Sequence, residues 1–239
     1  CVSGAKWSTF NTEVPRAEAT GRCEVRTHSM VVRIEHDDDG RVTEVLYFDR
    51  DGALQSQKCR LLCVAGNAIE TPRLLLNSES SKFPDGLANS SGMVGRNYMR
   101  HVTGYLYGKF DHPVYMNRGR TVGGIIRDER WHDENRGFAG GYLIGIVGLG
   151  LPFYAAFKHP GAWGREYAES LEAYAYTGGL HFTGEDLPIE TNGVSLHATK
   201  KDQFGLPIPN LHIDDHANDL SMKEHGNAKL LALAEAAGA

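Results

Sequence analysis

A glycine between an apolar run and a helix-forming run is the part of this sequence best suited to chemistry. Residues 61–65 read Leu-Leu-Cys-Val-Ala and predict a buried strand, which Gly66 ends as a turn. A helix is predicted to begin near Thr71, since the following proline is tolerated in a first helical turn. A strand that turns directly into a helix exposes backbone N–H groups, which suits the pyrophosphate of a dinucleotide. On geometry alone, the segment favours an ordinary α/β crossover.

The histidines, serines and acidic residues give weaker indications. His212 and His216 have i,i+4 spacing but lack the glutamate of a zinc-protease motif. The acidic run 37–40 ends in glycine and predicts a turn, because the other positions of a calcium loop are missing. Ser8 and Ser195 lie in no G-x-S-x-G elbow. We therefore predict no metal site and no hydrolase chemistry.

The elements that must position the glycine turn are predicted to be strands. Residues 24–35 and 41–48 are rich in β-branched side chains and are separated by the acidic turn. A third strand is predicted at Arg60–Ala65, covered on both faces because it is almost wholly apolar. Together they form an antiparallel meander, on which the helix is expected to pack through Leu74 and Leu75.

The second half of the chain gives mixed signals. Residues 137–157 contain no charged side chain, but their glycines and proline favour a buried strand and turn over a membrane span. Residues 163–176 fit a helix or a strand. A strand is predicted at 192–197, a proline-locked loop at 202–209 and an amphipathic helix at 218–237.

Composition sets broad limits on function. The chain has 239 residues, a hydrophobic share of 41% and a net charge of −5, which fit a soluble globular protein and disfavour a nucleic-acid partner. Its four cysteines show no metal-binding spacing and predict buried reduced thiols, which indicate no compartment. The chain begins with cysteine and ends within a helical pattern, so we expect it to be part of a longer protein.

Several segments resemble one enzyme family. Residues 65–78 read Ala-Gly-Asn-Ala-Ile-Glu-Thr-Pro-Arg-Leu-Leu-Leu-Asn-Ser and resemble the second FAD-binding segment of the glucose–methanol–choline (GMC) flavoprotein oxidoreductases. Other segments along the chain are also similar to sequences of that family, at 4–21, 95–101, 201–209 and 216–219. The resemblance covers nearly the whole chain as an internal part of the family's length.

The resemblance implies FAD as cofactor and oxidation of an alcohol group of a sugar, polyol or aldonate by hydride transfer to flavin N5. It also implies an electron-acceptor subunit or a cytochrome as a partner. The candidate cofactor-binding residues are Val31, whose backbone would meet the adenine, Ala65 and Gly66 beside the diphosphate, and Glu70. Val31 also fits a plain core position, and Thr71 fits a helix cap better than a ligand contact.

The expected fold class is α+β or α/β. Residues 1–100 are expected to form part of an FAD-binding domain, and residues 101–239 a substrate domain built on a mostly antiparallel sheet. The family's N-terminal glycine-rich motif and its C-terminal catalytic histidine segment are absent, so we assign no catalytic residue and expect this piece alone to be inactive. The alternative is a non-catalytic binding or assembly module derived from the same fold. An NAD-dependent dehydrogenase lacks its fingerprint here.

Overall fold

A computed structural model describes residues 4–158 and 160–239 and divides the chain into two compact units. The first unit contains Cys1–Gly95 and Val194–Leu211, and the second contains Arg96–Gly193 and His212–Ala239. The first unit is therefore built from two stretches of the chain, and Arg73 on the first stretch binds groups on the second, residues 194–211.

The first unit is a small antiparallel sheet with helices and a hairpin. Strands β1, β2 and β3 pair in that order, as an antiparallel meander. They span Met30–His36, Val42–Phe48 and Leu54–Lys58. Helices α1 and α2 span Glu13–Ala19 and Asn67–Asn77.

The core of the first unit lies between the meander and α2. Ile34 and Val45 on the strands are buried with Leu87, and Leu74 and Leu75 of α2 pack against them. The predicted packing of the helix through Leu74 and Leu75 is therefore confirmed.

The segment 61–65 differs from its prediction. It lies in no strand pair among the described residues, and the third strand of the meander is β3. Its side chains alternate: Leu62 and Val64 pack in the core, whereas Leu61 is 82% exposed. An apolar run does not specify which strand pairs with it, and the tight turn at Asp51-Gly52 directs residues 54–58 back along β2 instead.

Two boundaries also differ from prediction. Residues 24–29 lie outside β1, where His28 has a φ of +52°. Helix α2 begins at Asn67 rather than near Thr71, and Pro72 lies inside it. The earlier start is possible because the Asn67 side chain accepts hydrogen bonds from the N–H groups of the first turn.

The second unit is a four-stranded antiparallel sheet with the strand order β4-β7-β6-β5. These strands span Val102–Lys109 (β4), Val122–Ile126 (β5), Tyr142–Val147 (β6) and Thr177–Gly184 (β7). Three helices accompany them, at Leu151–Lys158 (α3), Gly164–Glu172 (α4) and Ala217–Ala236 (α5). The strands β8 (Gly193–Lys201) and β9 (Pro207–His212) form a two-stranded hairpin that precedes α5 in the chain and lies mostly in the first unit.

Helix α5 covers one face of this sheet. Met222 and Leu230 of the helix are fully buried with Phe182 of β7, and Gly226 allows the helix to approach the Phe182 ring closely. On β6, Gly145 leaves room for the ring of His181. The mixed α+β class with antiparallel sheets and flanking helices is thus confirmed.

Other predictions for the second half have mixed outcomes. The apolar stretch 137–157 forms β6 and most of α3, and residues 163–176 are mainly helical. The predicted loop 202–209 is wrong at its end, since β9 begins at Pro207. No helix in the described ranges has the length and apolar character to cross a membrane.

The cysteines do not match the expectation of buried thiols. Cys23 and Cys63 are exposed, Cys59 is half-buried, and all three are free. Cys1 lies outside the described residues.

Candidate functional site

A cavity of about 480 Å³ lies in the first unit, between β1, the segment 62–66 and the first turns of α2. Its wall includes all four of the predicted cofactor-binding residues, namely Val31, Ala65, Gly66 and Glu70. Val31 lies on the edge strand of the meander and is 36% exposed, so it is not a plain core valine. The structure therefore brings together residues that are up to 39 positions apart in the chain (70 − 31).

The start of α2 is organised by two side chains. Asn67 Oδ1 accepts from the N–H groups of Ile69 at 2.8 Å and Glu70 at 3.1 Å. Thr71 Oγ1 accepts from the backbone N–H of Gly66 at 3.1 Å, but Thr71 is the fifth residue of α2, so the expected helix-cap role is wrong: its side chain bonds back to the residue before the helix. The first N–H groups of a helix carry the positive end of its dipole, which favours a negatively charged ligand.

Gly66 leaves space beside the cavity. A Cβ atom built on Gly66 would lie 3.4 Å from the backbone nitrogen of Thr71 and 3.5 Å from Thr71 Oγ1, which are ordinary contacts. The φ of −86° at Gly66 is open to any residue. The backbone therefore does not require glycine here, whereas close approach of a ligand would.

Arg73 is the most heavily bonded side chain of the site, and it is 6% exposed. Its Nη1 donates to Glu70 Oε2 at 3.1 Å, its Nη2 to Asp202 Oδ2 at 2.6 Å, and its Nε to the carbonyl of Pro207 at 2.9 Å. These three hydrogen bonds of the buried cation all end on oxygen acceptors, and a buried charge requires such partners.

Asp202 organises the turn between β8 and β9. Its Oδ1 accepts from the N–H groups of Phe204 at 2.8 Å and Leu206 at 3.1 Å, and Gly205 turns the chain at a φ of +78°. Burial alone would raise the pKa of Asp202, but hydrogen bonds from Arg73 and from these backbone groups hold that pKa below its usual value. Asp202 therefore stays ionised, and the turn places Leu206 in the cavity wall.

Sequence reasoning missed Arg73 and Leu206. Arg73 lies inside a recognised motif, but its partner Asp202 is 129 positions away. The sequence did indicate the turn itself, because an aspartate (Asp202) with a glycine three positions later (Gly205) is typical of a turn. Nothing in one sequence says which helix such a turn will contact.

The histidine pair in the second half has structural roles. His212 Nε2 lies 3.0 Å from Asp214 Oδ2, with both side chains exposed. His216 caps α5, where its N–H donates to Asp219 Oδ2 at 2.9 Å. Among the described residues no group of three metal-binding side chains comes together.

Proteins similar in sequence are oxidoreductases. A 2-methyl-1,2-propanediol dehydrogenase of Mycolicibacterium austroafricanum is 32% identical over 99% of this chain and 44% of its own length. The large subunit of fructose dehydrogenase from Gluconobacter japonicus is 27% identical over 90% of the chain and 39% of its own length. A gluconate 2-dehydrogenase flavoprotein of Pantoea cypripedii is 22% identical over 99% of the chain and 40% of its own length. The chain spans about two fifths of these curated relatives.

A solved structure supports the same fold. A formate oxidase of Aspergillus oryzae, in a variant studied for FAD modification, matches 86% of this chain and 42% of its own with a TM-score of 0.53 and 18% identity. No protein-family model matches the chain.

The relatives are named as dehydrogenases, one of them as a flavoprotein, and the structural neighbour is an oxidase studied for FAD modification. These similarities support the resemblance to the glucose–methanol–choline (GMC) family that the segments at 65–78 and 201–209 indicated.

Proposed function

We propose that this chain supplies part of the FAD site of an oxidoreductase that oxidises an alcohol group of a sugar, polyol or aldonate. When bound, FAD would accept a hydride at flavin N5. The observation that carries the proposal is the shared cavity, whose wall holds Val31, Ala65, Gly66 and Glu70 together.

The residues present fit the adenine and diphosphate portion of FAD. Gly66 offers backbone without a side chain, and the first turn of α2 offers the positive end of a helix dipole. Val31 lies on the edge strand β1 and lines the same cavity, where we propose that its backbone meets the adenine. In this arrangement Ala65 and Gly66 approach the diphosphate, Val31 approaches the adenine, and Glu70 accepts hydrogen bonds from sugar hydroxyls.

The two units have different parts in the proposed reaction. Residues 1–95 and 194–211 bind the cofactor, and the sheet of the second unit contacts the substrate. We propose no described residue as the proton acceptor. An electron-acceptor subunit or cytochrome is the proposed partner, an idea supported by the similarity to a large subunit of fructose dehydrogenase.

The test uses the full-length protein that contains this chain. Its visible spectrum should show bound flavin, and anaerobic addition of a sugar, polyol or aldonate should bleach that spectrum as the flavin is reduced. Protein that purifies without flavin and does not take up added FAD would contradict the proposal.

The second candidate is a binding or assembly module that has kept the fold and lost the flavin. It predicts a folded full-length protein with no flavin spectrum and no bleaching. No contact in the cavity favours it over the oxidoreductase, so flavin content decides between the two.

A further inference from the structure

The cavity wall is built from two parts of the chain, and one side chain joins them. Glu70 belongs to α2, whereas Leu206 belongs to the turn between β8 and β9, and both line the cavity. Arg73 binds Glu70 directly. It is joined to the Leu206 turn through the carboxylate of Asp202, which organises the turn, and through the carbonyl of Pro207, which follows it.

We propose that Arg73 is a positioning residue for the cofactor: it holds the Asp202 turn against α2, so that Leu206 closes the FAD cavity and Glu70 keeps its orientation. The inference rests on the proposed function. Arg73 need not touch FAD for this role, because each of its three hydrogen bonds ends on a cavity residue or on a residue of the turn.

The geometry requires arginine in particular. Three acceptors in different directions, on Glu70, Asp202 and Pro207, are met by three nitrogens of one planar guanidinium. A lysine at this position would keep the charge and three N–H donors, but these radiate from one nitrogen, whereas the three acceptors here are met by three separate nitrogens of the guanidinium. Phe204 of the turn also stacks on Phe48 of β2, at 5.3 Å between ring centroids.

The experiment compares Arg73→Lys with the wild type in the full-length protein. FAD affinity is measured by titrating the apoprotein, and trypsin cleavage after Lys201, an exposed residue beside the turn, is followed with and without FAD. We expect Arg73→Lys to raise the Kd for FAD roughly tenfold or more, since charge-assisted hydrogen bonds are lost. We also expect saturating FAD to protect Lys201 in the wild type and not in the variant, a difference that weaker binding alone would not produce, because FAD is then bound in both proteins.

The matched control is Arg33→Lys. Arg33 also pairs with a carboxylate of the first unit, Glu35 at 2.8 Å, but it binds no part of the turn. This variant should keep wild-type FAD affinity and protection.

Asp202→Asn is the second variant, for the case in which Arg73→Lys does not fold. Its amide oxygen can still accept from the turn, while the ionic bond to Arg73 is lost. We expect the Kd for FAD to rise by about threefold or more. Unchanged FAD affinity in Arg73→Lys, or in Asp202→Asn if the lysine variant does not fold, would overturn the positioning role alone. A wild-type protein that does not bind FAD would overturn the proposed function and this inference with it.

Discussion

The hydroxyl of Thr71 accepts the backbone N–H of Gly66 at 3.1 Å, so that one helical turn of α2 reaches back over the glycine that precedes it. This bond fixes Gly66 in a conformation with a φ of −86° and a ψ of 16°, which other residues adopt without strain. The need for glycine at this position therefore lies outside the backbone geometry.

Gly66→Val is expected to lower flavin occupancy more than it lowers folding yield, because its side chain would enter the cavity where the diphosphate is proposed to lie. The measurement is flavin content per folded full-length protein. Gly86→Val is the contrasting control, since Gly86 has a φ of +100° and its Cβ would lie 2.9 Å from the Cα of Leu76. That variant should lose folding yield. Equal loss of flavin and folding yield in Gly66→Val would make Gly66 a structural turn.

Thr71→Val should destabilise the start of α2 by about 1 kcal/mol, because the N–H of Gly66 loses its acceptor. Chemical unfolding of the full-length protein measures the change. Thr71→Ser keeps the hydroxyl and should recover most of the stability. A valine variant as stable as the wild type would show that this hydrogen bond contributes nothing to stability.

Leu230→Ala should cost about 2–5 kcal/mol, because Leu230 is fully buried in the core of the second unit and its removal leaves a cavity. Its neighbour Leu231 is 51% exposed. Leu231→Ala should therefore change stability by only about 0.5 kcal/mol. Thermal unfolding of the two variants side by side tests the assigned orientation of α5, and similar losses in both would contradict it.

The second unit should lose stability in acid through Glu129. Burial would raise the pKa of Glu129, but its bonds to Lys229 at 2.8 Å and Arg136 at 2.9 Å hold that pKa below its ordinary value of 4.5. The unfolded state then binds the proton more readily, so this stabilisation is complete above pH 4.5 and is lost as the pH falls through the folded pKa. Glu129→Gln should flatten the pH dependence of unfolding in this range, whereas the exposed Glu134→Gln should leave it unchanged.

The 239-residue chain expressed by itself is expected neither to retain FAD nor to oxidise an alcohol. The family resemblance places half of the flavin contacts and the proton acceptor in segments that this sequence does not contain, and loss of a general base alone typically costs ~100- to 10,000-fold in rate. The exposed Leu61 and its unpaired segment 61–65 should also favour aggregation. A purified chain with stoichiometric flavin and turnover on a sugar would refute this expectation.

Local patterns predicted β1, β2 and α5 well. Alternation and turn residues determine β1 and β2, and the spacing of leucines determines the buried face of α2, because these signals depend on neighbours in sequence. The prediction of a paired strand at 61–65 was wrong, because pairing depends on a partner strand and an apolar run does not identify that partner. The start of α2 was misplaced because Asn67, which caps with its own side chain at a φ of +73°, was passed over in favour of Pro72.

The only residues of the candidate site that could be named in advance were those at positions that resemble the family's sequence. Val31, Ala65, Gly66 and Glu70 came from the resemblance, and their common cavity is a property of the folded chain. The bonds of Arg73 could not be predicted, because they join positions far apart in sequence.

The divided first unit has a consequence for the order of events during synthesis. Arg73 emerges from the ribosome 129 residues before Asp202. At a synthesis rate of roughly 5–20 residues per second, that interval lasts on the order of ten seconds. During it the Arg73 guanidinium lacks its partners on Asp202 and Pro207, while the residues of the second unit emerge in between. The nascent chain should therefore be most open to chaperones and proteases in that window, and translation pauses before residue 194 should lower the yield of folded protein.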